Sequence, residues 1–131
     1  MSEASPVSRP DVAYRDPRGT ITDLLIGEQF DSVPLITSIK GSVRGNHYHR
    51  ETLQVMYVIR GRIELVTQMP GGPVRSSVAE AGDLVRTPPV ERHAVVALED
   101  TELIVFTRGP RAGRDYESDT YRLEQPLVRA V

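Results

Sequence analysis

Short apolar runs follow one another along this chain: SVPLITSIK, TLQVMYVIRG, RIELVTQ, VRSSVAE, DLVRTPP, HAVVAL and TELIVFTRG. They are rich in valine, isoleucine and tyrosine, residues that suit a pleated, half-buried surface. RIELVTQ alternates Ile63, Leu65 and Thr67 against Arg62, Glu64 and Val66, the period of a strand with one inward face. Turn chemistry separates the runs. PGGP, from Pro70 to Pro73, reads as a hairpin loop, and DPRGTI, from Asp16 to Ile21, as a turn opened by Asp-Pro and released by Gly19. No stretch keeps a helical period over three turns. Seven or eight strands without a helical crossover imply an all-β fold, an antiparallel sandwich or barrel.

A chain of 131 residues is one domain's worth of core, and no internal repeat divides it. The opening MSEASPVSRP is polar and carries two prolines, so residues 1–11 are expected to be a flexible tail and 12–131 a single domain. The closing GPRAGRDYESDTYRLEQPL is polar and irregular, a segment to wrap the barrel or reach a partner subunit. A net charge of −2 gives no electrostatic reason to expect nucleic acid or an anionic membrane. The first residues lack the basic and apolar regions of a signal peptide, and no run approaches a membrane span, so a cytoplasmic protein is expected. Without cysteine there is neither disulfide nor thiolate chemistry, and a bound metal must use nitrogen and oxygen ligands. Both faces of VMYVIRG carry apolar residues, which implies that both are covered, one by the core and one by a second copy in a homodimer.

The chain has three histidines, and two of them, His47 and His49, lie two apart. In a strand they share a face. Turned into a barrel they would place two imidazoles in one cavity, with Gln54 at the start of the next strand. The third, His93, follows the Pro88-Pro89 pair and opens another strand. These positions resemble the two motifs of the cupins. Gly41, His47, His49, Gln54 and Gly61 fall at the spacing of the first motif (residues 41–61), and Gly82, Pro88 and His93 at that of the second (82–97). Gln54 stands where cupins usually have a ligand glutamate, and Val90 and Ala97 stand in place of the second motif's Gly and Asn. The resemblance implies an antiparallel jelly-roll β-barrel, the double-stranded β-helix.

Within the cupins, GSVRGNHYHRETLQ resembles the nucleotide-sugar branch, the 4-keto-rhamnose 3,5-epimerases and the 4-keto-6-deoxyhexose 3,4-ketoisomerases, as does the early DPRGTI turn. That resemblance implies His47 and His49 as acid/base residues and Arg44 as a diphosphate contact. The chemistry is consistent: a neutral imidazole, with an unperturbed pKa of about 6.5, can take a proton from carbon next to a ketone. Such enzymes need no metal. His93, however, completes a metal-cupin second motif. Three imidazoles with the oxygen of Gln54, or of Glu51 in the turn before it, would suit a divalent zinc, iron, manganese or nickel ion. Arg86, by its parity with Leu84, and Arg92, beside His93, are expected to help hold an anionic substrate. The leading expectation is an isomerase or epimerase of a small keto compound such as a nucleotide-linked 4-keto-6-deoxy sugar. Its alternatives are a mononuclear metal-dependent oxygenase or cyclase acting on a small aromatic or polyketide-like substrate, and a non-catalytic small-molecule-binding cupin.

Overall fold

The computed structural model describes residues 5–110 and 113–129. Its strands are β1 (Val7–Ser8), β2 (Val12–Asp16), β3 (Gly19–Thr22), β4 (Leu35–Ser38), β5 (Val43–Tyr48), β6 (Leu53–Arg60), β7 (Arg62–Gln68), β8 (Arg75–Glu80), β9 (Leu84–Thr87), β10 (Arg92–Ala97), β11 (Thr101–Arg108) and β12 (Tyr121–Arg122). Among the described residues a single 3-10 turn spans Gly113–Asp115. No helix among the described residues is long and apolar enough to cross a membrane.

Two five-stranded antiparallel sheets, in the orders β1-β9-β6-β11-β4 and β12-β5-β10-β7-β8, face each other as a jelly-roll barrel. Among the described residues the hairpin of β2 and β3 pairs only with itself. Strands β4 and β6 to β11 coincide with the apolar runs of the sequence. Gly61 joins β6 to β7 with a φ of 92°, and a Cβ there would overlap the Asp100 carbonyl, so only glycine makes this turn without moving backbone.

Inside the barrel, strand parity and register grade the chemistry from one end to the other. Val58, Met56 and Gln54 follow one another on one face of β6; Leu103, Val105 and Thr107 do so on β11, and Val85 and Thr87 on β9. Met56 pairs with Val85 and Val105, whereas Gln54 pairs with Thr87 and Thr107. On the second sheet Ile63 and Leu65 of β7 give way to Thr67, which is opposite His93. Met56, Val58, Ile63, Leu65, Val85, Leu103 and Val105 form the apolar core. The next layer is polar yet buried: Gln54, Thr67, Thr87, Thr107 and His93. A buried polar layer costs free energy unless its groups find partners, so it marks the end of the barrel where function is to be sought.

The order of the chain begins earlier than its composition implies. Val7 pairs with Val85 and packs on the core, the Arg86 N–H donates to the Pro6 carbonyl at 3.0 Å, and the Arg9 guanidinium binds the Asp83 carboxylate at 3.0 Å. Residues 5–10 are therefore an edge strand and its anchor, not a tail. Pro6 and Pro10 flank that strand where no N–H donor is required of them. The first four residues lie outside the described part of the chain.

Candidate active site

His47 and His93 come from neighbouring strands, β5 and β10, and are directly paired. Gly45 permits the close approach of these strands: its φ is 92°, and a Cβ would come within 2.8 Å of the His93 carbonyl oxygen. His49 follows β5 and turns to the same side as His47. The ring centroids are 4.7 Å apart for His47–His93, 4.8 Å for His47–His49 and 5.2 Å for His49–His93. One ring nitrogen from each residue falls within 4.8 Å of the others.

A cavity of about 390 Å³ opens beside this cluster. His47, His93 and Gln54 line it, as does Arg44, and residues 116–122 close one side with Tyr116, Glu117, Thr120 and Arg122. Arg44 is exposed but directed: Nε donates to Ser38 Oγ at 2.9 Å and Nη2 to the Thr37 carbonyl at 3.0 Å. Across the same opening, Arg122 pairs with Glu117 at 2.6 Å. His49, only 1% exposed, does not line the cavity. It backs the two histidines that do.

The segment containing residues 116–122 is tied down by Asp119, which pattern reasoning did not single out. Its carboxylate accepts the N–H groups of Arg50 (2.9 Å), Glu51 (2.8 Å) and Thr52 (2.9 Å) and the Thr52 hydroxyl (2.9 Å). Burial pushes this carboxyl up, but the hydrogen bonds from Glu51, Arg50 and Thr52 outweigh burial and hold it below the usual carboxylate range. The Asp119 carbonyl lies 3.0 Å from His49 Nδ1. A carbonyl can only accept, so Nδ1 carries the proton. His93 Nδ1 is likewise directed at the Glu91 carbonyl, at 3.3 Å.

Backbone strain gathers at the same place. Among the described residues three that are not glycine have positive φ: Asn46 (56°), Val90 (64°) and Asp119 (60°). Asn46 precedes His47, and its side chain exchanges hydrogen bonds with the backbone of Val128. The Val90 N–H donates to the His49 carbonyl at 2.6 Å. A β-branched residue in the left-handed region is a true outlier, and Val90 is the residue that replaces the second motif's glycine.

The sequence matches the polysaccharide biosynthesis C-terminal domain over residues 14–121. The chain belongs to that family. No curated protein matches it in sequence. Solved structures share the fold of this polysaccharide biosynthesis domain at low identity. QdtA, a sugar 3,4-ketoisomerase from Thermoanaerobacterium thermosaccharolyticum in complex with TDP, is 18% identical, with a TM-score of 0.71 over 91% of this chain and 89% of that one. A 3,4-ketoisomerase from Helicobacter canadensis is 20% identical, with a TM-score of 0.72 over 88% of each chain. The dTDP-4-dehydrorhamnose 3,5-epimerase from Sulfolobus tokodaii is 20% identical, with a TM-score of 0.70 over 98% of this chain and 83% of that one. These likenesses establish the RmlC-like, cupin-type jelly roll.

In this polysaccharide biosynthesis domain the expected site divides. His47, His49 and His93 meet, and Gln54 and Arg44 join the cavity. Arg86 does not: Val85 and Thr87 occupy the inward face of β9, and Arg86 points out to a bidentate pair with Glu28, at 3.0 and 2.8 Å. Parity with Leu84 held, but Leu84 itself is on the outer face. Arg92 is one residue from His93 and so on the opposite side of β10, with its guanidinium 5.4 Å from the Tyr48 ring centre. Glu51 is exposed in its turn and contributes a backbone N–H to Asp119. No residue of the Asp16–Gly19 turn lines the cavity.

Two measurements check this account. Val90→Gly relieves left-handed strain of about 1–2 kcal/mol and gives back about 0.5–1 kcal/mol in glycine flexibility. It is expected to raise Tm by roughly 2–4 °C; a lower Tm contradicts the strained backbone. Asp119 stabilises the fold at every pH above its unfolded value near 3.8 and loses that effect as pH falls through its lower folded value. Asp119→Ala is therefore expected to cost about 2 kcal/mol, constant from pH 7 to pH 5 by denaturant unfolding, and the difference from wild type to narrow below about pH 4 to the cost of holding Ala on left-handed backbone.

Proposed function

We propose that this protein is an isomerase or epimerase of a nucleotide-linked 4-keto-6-deoxy sugar. The observation that carries the reading is the imidazole cluster at the wall of a cavity that also holds Arg44. The ketoisomerase and epimerase names of the structural neighbours support it; the oxygenase or cyclase alternative draws no such support. In this reading Arg44 holds the diphosphate, aided by Arg122, and the sugar ring lies against His47 and His93. One imidazole takes the proton from carbon next to the ketone, leaving an enediolate. The proton then returns at the adjacent carbon or to the opposite face of the same carbon. His49, with its proton committed to Nδ1, offers Nε2 to steady the positive charge that forms on its neighbour. Thr67, Thr87 and Thr107 keep the inner end polar without adding a competing base.

Incubation with dTDP-4-keto-6-deoxyglucose in deuterium oxide is expected to give a product carrying deuterium next to the carbonyl. His47→Asn is expected to slow that exchange by about 10²- to 10⁴-fold. Tight binding of the sugar nucleotide with no exchange in wild type would instead favour the non-catalytic binding module.

A divalent metal is a second reading, favoured by the two Nδ1–carbonyl contacts, since a histidine that binds metal through one nitrogen commonly donates its other N–H to such an acceptor. The donors fit after a small adjustment: two bonds of about 2.1 Å span at most about 4.2 Å, against the 4.8 Å spread of the ring nitrogens. His47, His49 and His93 would hold the ion, with Gln54 Oε1 as the candidate fourth ligand. Bound there, a metal would polarise the ketone. This reading predicts about one equivalent of zinc, iron, manganese or nickel by elemental analysis of the purified protein, and its loss in His93→Ala. Full turnover by metal-free protein would remove it. A homodimer belongs to the same picture: Val12, Tyr14 and Ile21 on the β2–β3 hairpin and Leu35 on the edge strand β4 are exposed apolar side chains of the kind a second copy covers.

A further inference from the structure

Nothing in the proton transfer itself requires the segment of residues 116–122 to touch a histidine, yet it does. The contact is made by main chain: the Asp119 carbonyl meets His49 Nδ1 at 3.0 Å. A main-chain contact holds its place only if the backbone does. Here the backbone is held in the left-handed region, φ 60°, by a carboxylate that accepts four hydrogen bonds from the turn directly after His49. From the other side the Val90 N–H, also on left-handed backbone, fixes the His49 carbonyl. Two residues that leave ordinary backbone conformations thus converge on His49, Asp119 on its ring and Val90 on its main chain, and strain of this kind persists where surrounding structure enforces it and is concentrated at working sites.

We propose that Asp119 is a positioning residue, whose carbonyl fixes the Nδ1–H tautomer and the ring orientation of His49 while its carboxylate binds the cavity-closing segment to the turn at residues 50–52. The two jobs share one residue, so the wall that meets the substrate and the orientation of the buried imidazole are set together. Tyr116, Glu117 and Arg122 lie on that wall. A ligand that packs against them steadies Asp119, and through it His49. Without the carbonyl acceptor a neutral imidazole can carry its proton on either nitrogen. Only the effect on turnover rests on the isomerase reading above; the tautomer does not.

The experiment is a long-range proton–nitrogen correlation spectrum of the unliganded, ¹⁵N-labelled full chain at about pH 8, above the unperturbed imidazole pKa of about 6.5, with His49 assigned by its disappearance in His49→Gln. In wild type, His49 is expected to show a protonated Nδ1 and a bare Nε2. Asp119→Ala is expected to give averaged nitrogen signals, and Asp119→Asn, which tolerates left-handed backbone and keeps an acceptor oxygen, to restore the wild-type pattern. A folded Asp119→Ala protein with the wild-type pattern overturns the assignment, as does an Nε2-protonated His49 in wild type. If Asp119→Ala does not fold, Asp119→Gly, which keeps the backbone freedom and drops the carboxylate, is read in its place. With the 4-keto sugar nucleotide, Asp119→Ala is expected to lower kcat by roughly 10- to 100-fold with little change in KM and Asp119→Asn to recover it; a change confined to KM overturns the positioning role. Absence of turnover in wild type would count against the isomerase, while the spectrum would still decide the role of Asp119.

Discussion

His93 sits opposite His47 because β10 pairs with β7 in one unbroken register and with β5 through a register shift between His93 and Ala94, and the site follows from that pairing. Slipping β10 by one residue would turn His93 out of the barrel and bring Arg92 in, since side chains alternate between faces. The register is secured by the apolar end of the same strands. Val95 and Ala97 pair with Leu65 and Ile63, whose side chains are fully buried, and a slip would turn Val95 and Ala97 away from that core. Hydrophobic burial at one end of the barrel thereby fixes the position of the imidazoles at the other.

The polar layer next to that core explains how three histidines can be accommodated. Gln54, Thr87 and Thr107 form a row across the first sheet, facing His47, His93 and Thr67 on the second. Threonine is well suited to such a place, being β-branched and so at home in a strand, with a hydroxyl that can hydrogen-bond within its own sheet. Thr87 reaches toward the Gln54 carbonyl and Thr107 toward that of Val105. Polar groups satisfied inside one sheet leave the space between the sheets to the imidazoles and to whatever enters the cavity.

Much of this was legible in the sequence. Strands β4 and β6 to β11 carry the period-two signal or a dense run of β-branched residues, and the histidine spacing singled out the cluster because two of the three residues lie at the end of one strand and just after it. Assigning a face to Arg86 and Arg92 was harder. Parity is relative, so an error in which face of β9 is inward carries over to every residue judged by it, and Arg86 went wrong with Leu84. Arg92 could not share the cavity with its neighbour His93 in an extended strand. Asp119 left no local trace at all. Its partners are about 70 residues away in sequence, and its contact with His49 is through a carbonyl, a group every residue has. Likewise β1 is only two residues long and flanked by prolines, too short for any periodicity, and its place is earned by the packing of Val7.

Because Asn46 is held by Val128 and His49 by Asp119, the centre of this barrel depends on residues that follow its central strands in the chain. A ribosome releasing the chain from its N-terminal end delivers both sheets' central strands before it delivers the residues that orient the histidines. The nascent barrel can close its apolar end early, while its polar end stays unfinished until Asp119 and Val128 have emerged.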